Sequence, residues 1–143
     1  MHTVGDSIIL TYEVLANDFE RAGEVSSNIK NTLKQLGIAQ KTIRKVAVAS
    51  YEAEINIIIH SNGGHIQAEI SKQEVKLIFT DSGPGIENIE LAMQEGYSTA
   101  SDEVREMGFG AGMGLPNIQR CADLFHIESS VEGTKIKVVF LVE

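Results

Sequence analysis

Residues 40–60 read QKTIRKVAVASYEAEINIIIH, and the elements on either side can be assigned by working outward from this run. Its apolar residues recur at helical spacing and a Ser-Asn-Gly-Gly break follows, so the sequence predicts one long helix. Glu52, Asn56 and His60 are spaced four apart and project from one face, with Glu54 nearly opposite. This polar strip, which has the apolar residues Val48, Ala49, Ile55 and Ile59 around it, is a first candidate for chemistry.

The rest of the chain divides into strands and helices according to its hydrophobic period and its glycine breaks. Strands are predicted near 8–13, 66–70, 75–79 and in a closing hairpin around Glu132-Gly133, and helices over 19–36 and from Leu115 to Phe125. Gly37 is expected to stop the first helix, and Pro116 to lie in the first turn of the last one. The order β-α-α-β-β-α-β-β predicts an α+β fold, a mainly antiparallel sheet with helices on one face.

Length and composition are those of one globular domain, and we expect residues 1–143 to form it. The formal net charge of −8 argues against non-specific nucleic-acid binding and against anionic membrane surfaces. No stretch approaches the ~18 consecutive apolar residues of a membrane span, and the first residues do not resemble a secretory signal. Cys121 is the only cysteine, which excludes an internal disulfide. The expected location is the cytoplasm.

The run Gly108-Phe-Gly-Ala-Gly-Met-Gly114 directly precedes a predicted helix. Alternating glycines allow the backbone N–H groups to approach phosphate oxygens, and the helix N-terminus favours an anion without a basic side chain. The run matches neither the P-loop pattern nor the dinucleotide fingerprint, which disfavours both of those folds. The alternative is a flexible loop that binds nothing.

A second glycine-containing segment, Asp81-Ser-Gly-Pro-Gly85, follows a predicted strand. The Asp81 carboxylate can accept a hydrogen bond from the exocyclic amine of adenine but would repel the carbonyl oxygen of guanine. The glycines allow a ligand to approach closely. The alternative is that Asp81 only caps a turn of the backbone.

The polar strip on the long helix could bind a cation and provide a general base. An ionised Glu52 in an apolar setting is costly unless something compensates its charge, and a bound cation would do so. Asn56 offers a neutral oxygen to Mg²⁺, which takes its remaining ligands from water and phosphate. Glu52 could then orient or deprotonate a nucleophile. The alternative is a solvated helix face capped by His60, a residue we expect to be structural.

Taken in order, Glu52-Ala-Glu-Ile-Asn56, Asp81 to Gly85, Gly108 to Gly114 and Gly133-Thr134 resemble the motifs of the gyrase, Hsp90, histidine kinase and MutL ATPase superfamily. Within it, the chain resembles the small bacterial anti-sigma serine kinases. The resemblance implies a two-layer α/β sandwich that binds ATP and Mg²⁺. It implies Glu52 as the catalytic base and Asn56 as the metal ligand, with residues of about 87–107 as a lid.

The same resemblance assigns the nucleotide contacts. Asp81 would contact adenine with support from Thr134, and the floor of the pocket would include Gly83, Gly85 and Ile86. The implied phosphate loop and its exit comprise Gly108, Gly110, Ala111, Gly112, Met113, Gly114 and Leu115.

Two functions of different classes follow. The first is a serine/threonine-protein kinase that phosphorylates an anti-anti-sigma protein of the STAS type and acts as an anti-sigma regulatory factor. The second is an ATP-gated binding module that sequesters a sigma factor or activates a phosphatase, in which Glu52 is not needed. A simple ATPase is a weaker third hypothesis. A homodimer is left open, and neither nucleic acid nor membrane is expected as a partner.

Overall fold

The computed structural model describes residues 2–4, 7–83, 93 and 114–142, which form one six-stranded sheet and three α-helices. The strands are β1 (His2–Val4), β2 (Ser7–Val14), β3 (Gly64–Ile70), β4 (Glu74–Asp81), β5 (Leu124–Ser130) and β6 (Gly133–Leu141). The α-helices are α1 (Glu24–Gln35), α2 (Gln40–His60) and α3 (Gly114–Cys121), and a 3₁₀ turn, Phe19–Arg21, precedes α1.

The strands follow the order β1-β2-β3-β4-β6-β5, and every neighbouring pair is antiparallel. Side chains that share the helix-facing side form rows across the strands, for example Tyr12, Ile66, Phe79, Ile136 and Ile127. Since successive side chains of a strand point to opposite faces, the alternating pattern of the sequence produces one apolar and one mostly polar face.

The three helices cover the apolar face. Helix α2 lies in the middle, in contact with α1, α3 and strands β2, β4 and β6. Its inner side chains, such as Ile43, Val46 and Ile58, are almost fully buried against sheet residues such as Leu77 and Phe140. Burial of each such side chain contributes roughly 1.5–3 kcal/mol, so α2 is held rigidly over the sheet.

The two ends of α1 are satisfied in different ways. At its C-terminus Gly37 adopts a positive φ of 74°, and the N–H groups of Gly37 and Ile38 donate to the carbonyl oxygens of Lys34 and Leu33. This is the Schellman arrangement, which glycine accommodates without strain. The predicted role of Gly37 as a helix stop is therefore confirmed.

At its N-terminus α1 is capped by a side chain of another helix. Glu54 of α2 is only 2% exposed, and its carboxylate accepts hydrogen bonds from the N–H groups of Val25 and Ser26 at 3.4 and 3.3 Å. Burial raises the pKa of Glu54, and the backbone hydrogen bonds oppose that rise. Glu54 thus joins α1 to α2, which explains why it points away from the strip carrying Glu52 and Asn56.

The predicted fold class and the bounds of α2 are confirmed. One strand was not predicted, and one end of each of the other two helices differs from the prediction. Strand β1, which pairs with β2, was not predicted. Helix α1 begins at Glu24 and not at Phe19, because Gly23 with a φ of 98° separates it from the 3₁₀ turn. Helix α3 ends at Cys121, and Phe125 lies in β5 opposite Val138.

No helix within the described ranges is long and apolar enough to cross a membrane.

Candidate functional site

The carboxylate of Asp81 lies at the end of β4 and organises the backbone around it. Its Oδ1 accepts hydrogen bonds from the N–H groups of Gly83 and Thr134, both at 3.0 Å. No residue in the described part of the chain donates to Oδ2. Because both donors use the same oxygen, the second oxygen can accept the amine of a nucleobase, as the sequence predicts for adenine.

Strands β4 and β6 approach very closely beside this carboxylate. A Cβ atom on Gly133 would lie 2.1 Å from the carbonyl oxygen of Asp81, so no side chain fits at this position. The glycine brings the N–H of Thr134 within reach of Asp81. Close packing of the two strands therefore requires the glycine of the Gly133-Thr134 motif.

Thr134 is buried and shares the helix-facing side of the sheet with Ile136. Its hydroxyl lies 2.9 Å from the hydroxyl of Ser129, the residue opposite it on β5. No motif in the sequence indicated Ser129. The signal for it is the tight turn at Glu132-Gly133, which sets a hairpin register that pairs Ser129 with Thr134.

A cleft of about 410 Å³ opens beside these groups. Its lining includes Asp81, Ser129, Thr134, Thr80, Glu128 and Lys135. The cleft is open to solvent at the strand ends, and Thr80, Glu128 and Lys135 line it from the polar face of the sheet. Asp81 therefore lies at the edge of an open cleft that a ligand can reach.

Glu52 lies on α2 where α3 packs beside it. The side-chain amide of Asn117 on α3 donates to Glu52 Oε1 at 3.4 Å, and Asn117 in turn accepts from Arg120. This long hydrogen bond orients the Glu52 carboxylate, and no other residue of the described ranges hydrogen-bonds to it. No pattern in the sequence indicates Asn117, since the contact arises only from the packing of α3 against α2.

Asn56 lies one helical turn beyond Glu52 and is half-buried. Its side-chain amide makes no hydrogen bond to any described residue, so its oxygen can serve a cation. No group of three or more His, Cys, Asp or Glu side chains in the described ranges could hold a metal. The amide oxygen of Asn56 is a donor type that Mg²⁺ accepts, and an ion held there would need further ligands from water or phosphate.

His60 ends α2 on the same side as Glu52 and Asn56. Burial lowers its pKa and favours the neutral imidazole at physiological pH.

Several predicted contacts lie outside the described residues. These are Gly85, Ile86, Gly108, Gly110, Ala111, Gly112 and Met113, together with the predicted lid apart from Met93, which packs against the core. Gly114 is the first residue of α3, and Leu115 is buried in the core. The run of glycines therefore leads directly into a helix N-terminus, as the sequence predicts.

The family model of the histidine kinase-like ATPase domain matches residues 15–140. The serine/threonine-protein kinase RsbT of Bacillus subtilis (strain 168) is 32% identical over 115 residues, which cover 77% of this chain and 80% of that protein. The anti-sigma F factor of Clostridium novyi (strain NT) is 32% identical over 111 residues, covering 73% of this chain and 74% of that factor.

Solved structures share the fold at lower identity. The RsbU and RsbW domains of Rv1364c from Mycobacterium tuberculosis align with a TM-score of 0.64 at 17% identity, covering 95% of this chain and 33% of that one. The SiaB–SiaC complex from Pseudomonas aeruginosa aligns with a TM-score of 0.53 at 10% identity, and the alignment covers 92% of this chain and 89% of that one. The resemblance drawn from the motifs is confirmed: the chain belongs to the histidine kinase-like ATPase domain family.

Proposed function

We propose that the chain is an ATP-dependent serine/threonine-protein kinase that acts as an anti-sigma regulatory factor in a cytoplasmic partner-switching pathway. The observation that carries the proposal is the position of Glu52, a carboxylate oriented by Asn117 at the seam between α2 and the helix that follows the glycine run. The names of the relatives, a serine/threonine-protein kinase and an anti-sigma factor, support the same activity.

The nucleobase would bind at the end of β4. Asp81 Oδ2 accepts the exocyclic amine of adenine, while Oδ1 stays engaged with the N–H groups of Gly83 and Thr134. The family resemblance implies that Gly85 and Ile86 would contribute to the floor of the pocket. The triphosphate extends toward the glycines of residues 108–114 and the N-terminus of α3, where backbone N–H groups and the helix dipole favour an anion.

Asn56 would hold a Mg²⁺ ion together with the nucleotide phosphates. When bound, the ion neutralises charge on the phosphate oxygens.

Glu52 then acts as the general base. It accepts the proton of a serine or threonine hydroxyl as that oxygen forms a bond to the γ-phosphorus, and the bond from the γ-phosphorus to the bridging oxygen breaks, which releases ADP. Asn117 keeps the carboxylate in the orientation that this transfer needs. Positioning of this kind supplies much of the catalysis in phosphoryl transfer.

The acceptor would be an anti-anti-sigma protein of the STAS type. A phosphate group adds charge of nearly −2 to the acceptor, next to the Glu52 carboxylate, so repulsion between these two groups would favour release of the product. The second binding partner would be a sigma factor or a phosphatase. The relative named as an anti-sigma factor favours a sigma factor.

The test is transfer of labelled γ-phosphate from Mg-ATP to an anti-anti-sigma protein from the same organism, with the modified residue mapped. The proposal predicts one labelled serine or threonine, and loss of labelling when EDTA removes the divalent cation. If the acceptor is bound in the presence of ATP but never labelled, the protein is an ATP-gated binding module. If ATP does not bind, the nucleotide site itself is wrong.

A further inference from the structure

One face of helix α2 carries cationic and apolar side chains and leads to Glu52. Lys41, Lys45, Val48 and Glu52 follow one another at intervals of four, three and four residues, so all four lie on this face. Lys41 and Val48 are exposed, and Lys45 and Glu52 are half-buried. Arg44 is exposed on the flank of this face. With a rise of about 1.5 Å per residue, Val48 is about 6 Å from Glu52 along the helix axis.

The charge of this helix face is opposite in sign to the net charge of the chain. Between Gln40 and Tyr51 the helix carries three cations and no acidic residue, in a chain of net charge −8. Burial raises the pKa of the Cys121 thiol on α3, the charges of Lys45 and Arg120 lower it, and the charge of Glu52 raises it, so all three charged groups lie near the α2–α3 seam. Two cations therefore accompany the single carboxylate of Glu52 at this seam.

Two apolar side chains accompany the cations. Val48 is 43% exposed and Tyr51 is 37% exposed. The ring of Tyr51 packs close to Gly23, where its nearest carbon would lie 3.6 Å from an added Cβ atom. An exposed apolar centre flanked by charge is typical of surfaces that contact another protein. We call Lys41, Arg44, Lys45, Val48 and Tyr51 the α2 stripe.

We infer that the α2 stripe is the docking surface for the protein substrate, and that this substrate presents an acidic face next to the hydroxyl it offers. The inference rests on the proposed function and adds the kind of surface that the partner must carry. Charge complementarity selects the acidic face, since like charges across an interface are unfavourable. The position of Glu52 at the end of the stripe explains how docking delivers a hydroxyl to the base.

The test reverses charge on the stripe and measures steady-state transfer to the anti-anti-sigma acceptor. In Lys41→Glu/Arg44→Glu we expect the KM for the acceptor to rise about tenfold, with kcat and the KM for ATP changed less than twofold. The wild-type KM should also rise between low and moderate salt, and this dependence should weaken in the variant.

The matched control is Lys72→Glu/Lys137→Glu, which changes the net charge equally but lies in the β3–β4 turn and on the polar face of the sheet. Its KM for the acceptor should stay within about twofold of the wild type. Val48→Glu provides a second probe, because Val48 is 43% exposed and its replacement leaves the core intact.

The inference is overturned if the stripe variants keep the wild-type KM for the acceptor, or if the control variant raises that KM equally. It is also overturned if the stripe variants raise the KM for ATP and not the KM for the acceptor. These results leave the kinase activity intact and are thereby distinct from failure of the proposed function. Absence of transfer by the wild-type protein would overturn both.

Discussion

Asp81 illustrates how one side chain serves both the fold and the site. One carboxylate oxygen fixes the turn after β4 and the start of β6, and the other faces no donor in the described part of the chain. The sequence predicted both roles as alternatives, a turn cap and an adenine contact. The geometry allows them to coexist, because each uses a different oxygen.

Asp81→Asn tests the adenine contact. Asparagine keeps an oxygen for the two backbone N–H groups but replaces the second acceptor by a donor, so the Kd for ATP should rise about 10- to 100-fold. The preference for ATP over GTP should narrow as well. Calorimetric titration with both nucleotides measures this, with Ser82→Ala as the neighbouring control. An unchanged Kd for ATP would remove Asp81 from the site.

His60 gives the protein a predictable response to acid. Because burial lowers the pKa of His60 in the folded state, protonation favours the unfolded chain. Its contribution to stability is complete above the unfolded pKa of about 6.5 and is lost as the pH falls below it. Denaturant unfolding from pH 7.5 to 5.5 should show a smaller loss in His60→Gln than in the wild type. Parallel curves for the two proteins would contradict the assignment.

At the scale of helices and strands, the sequence did not predict the contacts between residues far apart in the chain. The period of α2 predicted its bounds and its polar strip, since both are local properties. The cap that Glu54 provides for α1 and the contact between Asn117 and Glu52 join residues 28 or more positions apart. Strand β1 is only three residues long, too short for an alternating pattern to reveal it.

Glu54→Ala tests the joint between α1 and α2. It removes the acceptor for two backbone N–H groups at a helix N-terminus, so the free energy of unfolding should fall by about 2 kcal/mol. Urea unfolding followed by circular dichroism measures this change. Glu24→Ala, at the exposed start of α1, is the control and should change stability by less than about 0.5 kcal/mol. Equal effects of the two substitutions would refute the capping role.

Gly133→Ala tests the close approach of β4 and β6. The added Cβ would meet the Asp81 carbonyl oxygen at 2.1 Å, so the backbone must shift, at a cost of about 2–3 kcal/mol, and ATP affinity should fall with it. Gly37→Ala adds a Cβ into open space and carries only the cost of a positive φ, about 1 kcal/mol. If both substitutions cost the same, the contact with Asp81 contributes nothing beyond backbone conformation.

At the scale of the whole molecule, the sheet places the end of β4 beside the start of β6, and the helix layer places Glu52 of α2 beside α3. The sequence singles out Asp81, Gly133 and Glu52 as candidates because glycines and carboxylates in these spacings have few other uses. It does not single out Ser129 and Asn117, because their roles depend on a hairpin register and on a helix–helix contact. The sequence therefore indicates candidate site residues, whereas the residues that hold them in place emerge only from the packing.

The most direct test of the central claim is single-turnover transfer of labelled γ-phosphate to the anti-anti-sigma acceptor by wild type and Glu52→Gln, with the Kd for ATP measured alongside. Glutamine can still accept from Asn117 but cannot take the hydroxyl proton. We predict that transfer slows at least about 100-fold while the Kd for ATP changes less than about twofold. Transfer by Glu52→Gln at the wild-type rate would contradict the assignment of Glu52 as the base.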